Sequence, residues 1–143
     1  MPERVLFFDD YPRKPDSVLF VWRLRLRLRP AHARVMREKS VYRLEAMLRS
    51  DRFAAIVLDI MASMSGQSDN LAGLEILRRC RSGFYSAYAR TVPIYMRTAR
   101  GELYIRREAA ESGANGYFLA GSEDSRLIDT IEDLIVKGRG NAR

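Results

Sequence analysis

Between Phe53 and Ile60 the chain reads Phe-Ala-Ala-Ile-Val-Leu-Asp-Ile, a short apolar run broken by one carboxylate, Asp59. The run is rich in branched residues and apolar on both parities, so it reads as a strand buried on both faces. Such a strand needs cover above and below, which excludes an open meander and asks for a sheet between two helical layers. The apolar residues explain the strand but not Asp59. A carboxylate at the carboxyl end of a buried strand stands where open α/β sheets place their ligands. Asp is also a common cap of the following loop or helix. Both readings stay open on this stretch alone.

Four further segments fit the same sheet. Arg4 to Phe8 is an apolar run followed at once by Asp9-Asp10, Ala33 to Arg37 is a short strand pattern, Val92 to Met96 leads into Arg97-Thr98-Ala99-Arg100, and Tyr117 to Leu119 is a fifth run. Helical patterns lie between them. Ser40 is placed to cap Val41 to Ser50, Gly73 to Arg81 and Gly101 to Ser112 carry helical spacing, and Ser122-Glu-Asp precedes Leu127, Ile128, Ile131, Leu134 and Ile135. The stretch from Phe20 to Arg29 is different. Phe20, Trp22, Leu24, Leu26 and Leu28 alternate with arginines, a period of two that predicts a strand over residues 18–29. Asp16-Ser17 before it would suit a helix start, and as a helix the same apolar residues would spread round every side. Residues 62–71 read as a surface loop, and Gly138 to Arg143 as a basic tail. Strands alternating with helices imply an α/β fold: a three-layer, doubly wound sandwich on a five-stranded parallel sheet. Residues 1–137 form one domain and 138–143 the tail.

Function is bounded by charge and by the acids. The 143 residues carry a formal net charge of +7, which favours acidic partners: nucleic acid, anionic lipid or an acidic protein face. The single Cys80 excludes an internal disulfide framework and reads as a packed small hydrophobe, while the single His32 has no metal-ligand company. No apolar stretch approaches the ~20 residues of a membrane span, and the first residues lack a signal-peptide form. A cytoplasmic protein without a membrane partner is expected. Asp9, Asp10 and Asp59 fall at strand ends that one sheet edge brings together. Three carboxylates in a cleft suit a hard divalent cation such as Mg²⁺. The Asp-x-Asp pattern of metal-dependent phosphatases is absent, since Ile60-Met61 follows Asp59.

Five motifs in order resemble the receiver domain of bacterial two-component response regulators. Val5-Leu-Phe-Phe-Asp-Asp10 resembles its first strand with the metal-binding acids, and Ile56-Val-Leu-Asp-Ile-Met61 the strand of its phospho-accepting Asp. Gly73-Leu-Glu75 is similar to the start of its third helix. Pro93-Ile-Tyr-Met-Arg-Thr-Ala99 resembles the strand ending in the switch hydroxyl, and Gly113-Ala-Asn-Gly-Tyr117 the turn into the fifth strand. The resemblance runs from about Glu3 to Val136. It implies a flavodoxin-like receiver topology, Asp59 as phosphoacceptor, and Mg²⁺ on Asp9, Asp10, Asp59 and the Met61 carbonyl. It also implies Thr98 and Tyr117 as switch residues.

The sequence departs from that family in three places. Ala120-Gly121 replaces the usual Lys-Pro, the loop after Asp59 is long and lacks a Pro-Gly pair, and residues 20–29 occupy the family's first helix but alternate like a strand, so that element stays open between the two. Without a lysine at 120, coupling of phosphate to the fifth strand should suffer. Arg97 opposes Thr98 in strand parity and is not expected to take the lysine's place. The expectation is a stand-alone receiver-like domain in a phosphorelay, not an enzyme beyond self-phosphorylation from a phosphodonor. It either accepts phosphate on Asp59 or binds partners as a degenerate receiver. Its partners would be a sensor histidine kinase or phosphotransfer protein and a downstream protein, docked on the face of helix 101–112, strand 117–119 and the last helix. The alternative is a phosphate-independent module contacting nucleic acid or protein through its basic surface. Acetyl phosphate with Mg²⁺ tests the first reading, and salt-dependent nucleic-acid binding the second.

Overall fold

The computed structural model describes residues 3–9, 15–60, 72–99 and 103–141. Asp10, Met61, Arg100 and the loop expected over 62–71 lie outside them. In chain order the elements are β1 (Arg4–Asp9), α1 (Pro15–Leu28), β2 (Arg34–Glu38), α2 (Val41–Ser50), β3 (Ala55–Ile60), α3 (Ala72–Ser82), β4 (Ile94–Thr98), α4 (Leu103–Glu111), β5 (Gly116–Leu119) and α5 (Asp124–Asn141). All four strand pairings are parallel, in the order β2-β1-β3-β4-β5. The three-layer α/β architecture expected from the apolar runs is therefore the one observed.

The alternation of strand parity divides the core in two. Leu6, Phe8, Ile56, Leu58, Ile94 and Met96 face one layer and pack with Leu44 and Leu48 of α2, Leu74 and Leu77 of α3, and Ala109 of α4. Val5, Phe7, Ala55, Val57 and Tyr95 face the other, against Phe20, Val21, Leu24 and Leu28 of α1 and Leu127, Ile128, Ile131 and Ile135 of α5. Ser40 caps α2, its hydroxyl accepting from the Arg43 amide, as the sequence suggested. Asn115 fastens the turn before β5: its Oδ1 accepts from the Ile94 amide at 2.9 Å and from Arg81 Nη2 at 2.7 Å. The hydroxyl of Tyr88 clasps the start of β3, donating to the Phe53 carbonyl and accepting from the Phe53 amide.

Residues 18–28, where the period of two pointed to a strand and the receiver resemblance to a first helix, are helical. The reason is topological. β1 and β2 are parallel neighbours, so the chain between them must cross back over the sheet, and a helix is the element that does so with its backbone bonds satisfied internally. Phe20, Val21, Leu24 and Leu28 give α1 a buried stripe, and the alternation leaves other apolar side chains on its outer side. At the other end of the chain α5 runs past Gly138 to Asn141, so the helix enters the segment read as a tail.

Candidate functional site

Strand register decides what meets Asp59. Asp9 of β1 lies beside Asp59 of β3, and Asp59 lies beside Arg97 of β4. In-register neighbours on parallel strands point to the same face, here the layer of α1 and α5. Arg97 Nη1 donates to Asp59 Oδ2 at 2.7 Å, while Nε and Nη2 donate to Asp124 Oδ1 and Oδ2 at 2.9 and 3.0 Å. Ser17 Oγ, at the start of α1, donates to the same Asp59 Oδ2 at 3.2 Å. The Arg97 guanidinium also lies over the Phe20 ring, 4.7 Å from its centroid. Asp59 is 3% exposed, Arg97 0% and Asp124 4%, so the network is shut away from solvent.

Two carboxylates and one guanidinium form a charged triad whose fork contact to Asp124 is the bidentate geometry arginine favours. Burial opposes the charge on Arg97, but hydrogen bonds and charges from Asp124 and Asp59 outweigh it and raise its pKa above the ordinary value. The arginine therefore stays charged and holds both acids. It ties the end of β3 to the first turn of α5, where Asp124 also meets the positive end of the helix dipole.

The expected metal set is only half described. Asp10 and Met61 lie outside the described residues, whereas Asp9 is fully buried with Arg37 Nη2 at 3.8 Å from its Oδ2. Each described acid of the set thus faces a guanidinium. Among the described residues no group of His, Cys, Asp and Glu side chains is arranged to hold a metal ion. Of the expected Mg²⁺ ligands, Asp9 and Asp59 would offer the carboxylate oxygens such a hard cation takes, each already beside a guanidinium.

Thr98 closes β4, 1% exposed, one step beyond Arg97 and on the opposite parity. Its carbonyl accepts from the Ala120 amide at 2.7 Å, which binds the turn after β5 to the end of β4. Tyr117 is half-buried, its ring 5.2 Å from the Arg106 guanidinium carbon. Ala120 supplies only a methyl group. The cation beside Asp59 comes from the neighbouring strand instead: Arg97, which is not expected to take the lysine's place because it opposes Thr98 in parity, shares the parity of Asp59 and meets it. Sequence reading also missed Ser17, Asp124 and Arg37 as members of the site. Aligning the ends of the third and fourth strands in register would have found Arg97; nothing local marks the other three.

No protein-family model matches the chain, and a search of curated proteins finds no match. Solved structures do match over nearly the whole length. The chemotaxis protein CheY4 of Vibrio cholerae is 19% identical over 94% of this chain and 99% of that one, with a TM-score of 0.67. A response regulator from Thermotoga maritima is 16% identical over 95% and 99%, with a TM-score of 0.69. The receiver domain of the sensor histidine kinase PA1611 from Pseudomonas aeruginosa PAO1, which has a magnesium ion coordinated in its active-site cleft, is 20% identical over 94% and 98%, with a TM-score of 0.68. The chain therefore has the fold of a response-regulator receiver domain, and Asp59 stands at the end of its third strand.

Proposed function

We propose that this protein is a receiver-like domain of a two-component pathway that works as a binding module without phosphate on Asp59. The observation behind this reading is the buried triad of Asp59, Arg97 and Asp124. A phosphoacceptor must present a carboxylate oxygen in line with the donor phosphorus, with cations placed to take up the charge. Here Asp59 Oδ2 already receives Arg97 and Ser17, in a residue nearly closed to solvent. Arg97 supplies internally the positive charge that Mg²⁺ and a lysine supply in receivers. The domain then rests in one state, with β3 coupled to α5, and signals by what it binds. Its partners in this reading are a histidine kinase, a phosphotransfer protein or a downstream protein, met on the face of α4, β5 and α5, where Leu103 and Tyr104 are exposed.

A second reading keeps Asp59 as acceptor, with Arg97 moving from the carboxylate to the phosphoryl oxygens. The 2.7 Å contact and the position of Thr98 favour it. Intact-mass measurement after acetyl phosphate and Mg²⁺ separates the two. The expected result is no mass gain on the wild type and a gain of one phosphate on an Arg97→Met/Ala120→Lys double variant. Phosphate on wild-type Asp59 would overturn the first reading in favour of the second.

A further inference from the structure

The Leu-Arg alternation of α1 leaves a surface that neither the core nor the site uses. At ~100° per residue, Val18, Trp22, Leu26 and Leu19 fall in one outward arc, and they are 48%, 58%, 43% and 54% exposed. Arginines flank that arc: Arg25 on one side, followed by Arg29 in the 3-10 turn after α1, and the i, i+4 pair Arg23 and Arg27 on the other. A surface helix ordinarily turns polar residues outward. This one turns its only polar belt sideways and an apolar crest to solvent.

The two flanks differ. Arg23 Nη2 donates to Ser125 Oγ at 2.7 Å, and Arg27 is paired with Asp129 and Glu132, so α5 compensates that side. On the other side Arg25, Arg29, His32 and Arg34 line a concavity of about 430 Å³ with Ala33, and among them the acids are missing. The partner of this face must therefore be apolar where it meets the crest and anionic where it meets the groove. A second copy packed antiparallel would set the Arg25–Arg29 flanks of both chains side by side, like charge on like charge.

We propose that the outer face of α1 is a peripheral docking surface for an anionic lipid bilayer, with Trp22, Leu19 and Leu26 entering the headgroup layer and the Arg25, Arg29, His32 and Arg34 groove receiving lipid phosphates. Trp at such a boundary, with apolar neighbours and arginine rims, is the pattern of an interfacial helix. The contact is distinct from spanning: no helix among the described residues is long and apolar enough to cross a membrane.

Trp22 is the only tryptophan, so its emission reports on this surface alone. The full chain is titrated with vesicles of phosphatidylcholine alone and of phosphatidylcholine with phosphatidylglycerol in equal parts. Expected is a blue shift with protection from acrylamide on the anionic vesicles only, reversed by high salt. Co-sedimentation should fall roughly tenfold or more in Arg25→Glu/Arg29→Glu and likewise in Leu26→Glu, with far-ultraviolet circular dichroism unchanged. No shift on anionic vesicles overturns the proposal. So does an equal shift with soluble heparin, which would mean charge without insertion, or a shift driven by protein concentration without lipid, which would mean a second copy covers the crest.

Discussion

Replacing Arg97 by methionine removes the one cation that the triad shares. Methionine fills a similar volume without charge, so the packing loss is small and the electrostatic loss dominates. Asp59 and Asp124 stay behind, 3% and 4% exposed, with the guanidinium that bonded both of them gone. Breaking a buried ion pair from one side costs about 3–5 kcal/mol. Asp124 keeps the compensation of the α5 amino terminus, so most of the cost falls on Asp59. For a domain of this size, with a denaturant slope of roughly 2 kcal/mol per molar urea, the unfolding midpoint should drop by about 1.5–2.5 M. Urea titration followed by circular dichroism measures it. The triple variant Asp59→Asn/Arg97→Met/Asp124→Asn removes all three charges and should recover most of the loss, because a neutral, well-filled site has no ion left to desolvate. A single-variant midpoint within about 0.5 M of wild type would refute the triad as a stabilising lock. So would a triple variant no more stable than the single.

Tyr88→Phe deletes both bonds to the Phe53 backbone and leaves a buried amide and carbonyl short of partners, which should cost about 1–3 kcal/mol in the same urea assay. Burial pushes the Cys80 thiol up to about 12, and burial first of all pushes the Tyr88 hydroxyl up to about 12, with Tyr85 and Tyr95 also raised by burial. These groups are neutral when protonated, and the folded state keeps their protons to higher pH than the unfolded chain. Their contribution is complete below the unfolded values of about 8.5–10 and is lost as pH rises through them toward about 12. The urea midpoint should therefore hold steady from neutral pH to the onset of that window and fall beyond it; a midpoint that rises with alkali contradicts the assignment. Native Cys80 should also resist thiol reagents until urea exposes it.

Much of this protein can be read from local pattern. The apolar runs at Val5 to Phe8, Ile56 to Leu58 and Ile94 to Met96 specify buried parallel strands, because burial on both faces leaves no polar parity. The spacing of Leu44 and Leu48, or of Leu127, Ile131 and Ile135, specifies helices that bury one stripe. With the order of elements given, Asp9, Asp59 and Thr98 had to come to one sheet edge. The tertiary structure decided two other things. It made a helix of residues 18–28, because a parallel crossover overrides a local period of two. It also gave Asp59 its partner. Arg97 is 38 residues from Asp59 and 27 from Asp124, and a lone arginine in a strand reads from sequence as a solvent-facing residue. Only the register of β3 on β4, and the docking of the α5 amino terminus over the same face, turn it inward. There two carboxylates offset the cost of burying its charge, because each of its bonds is made where water cannot compete.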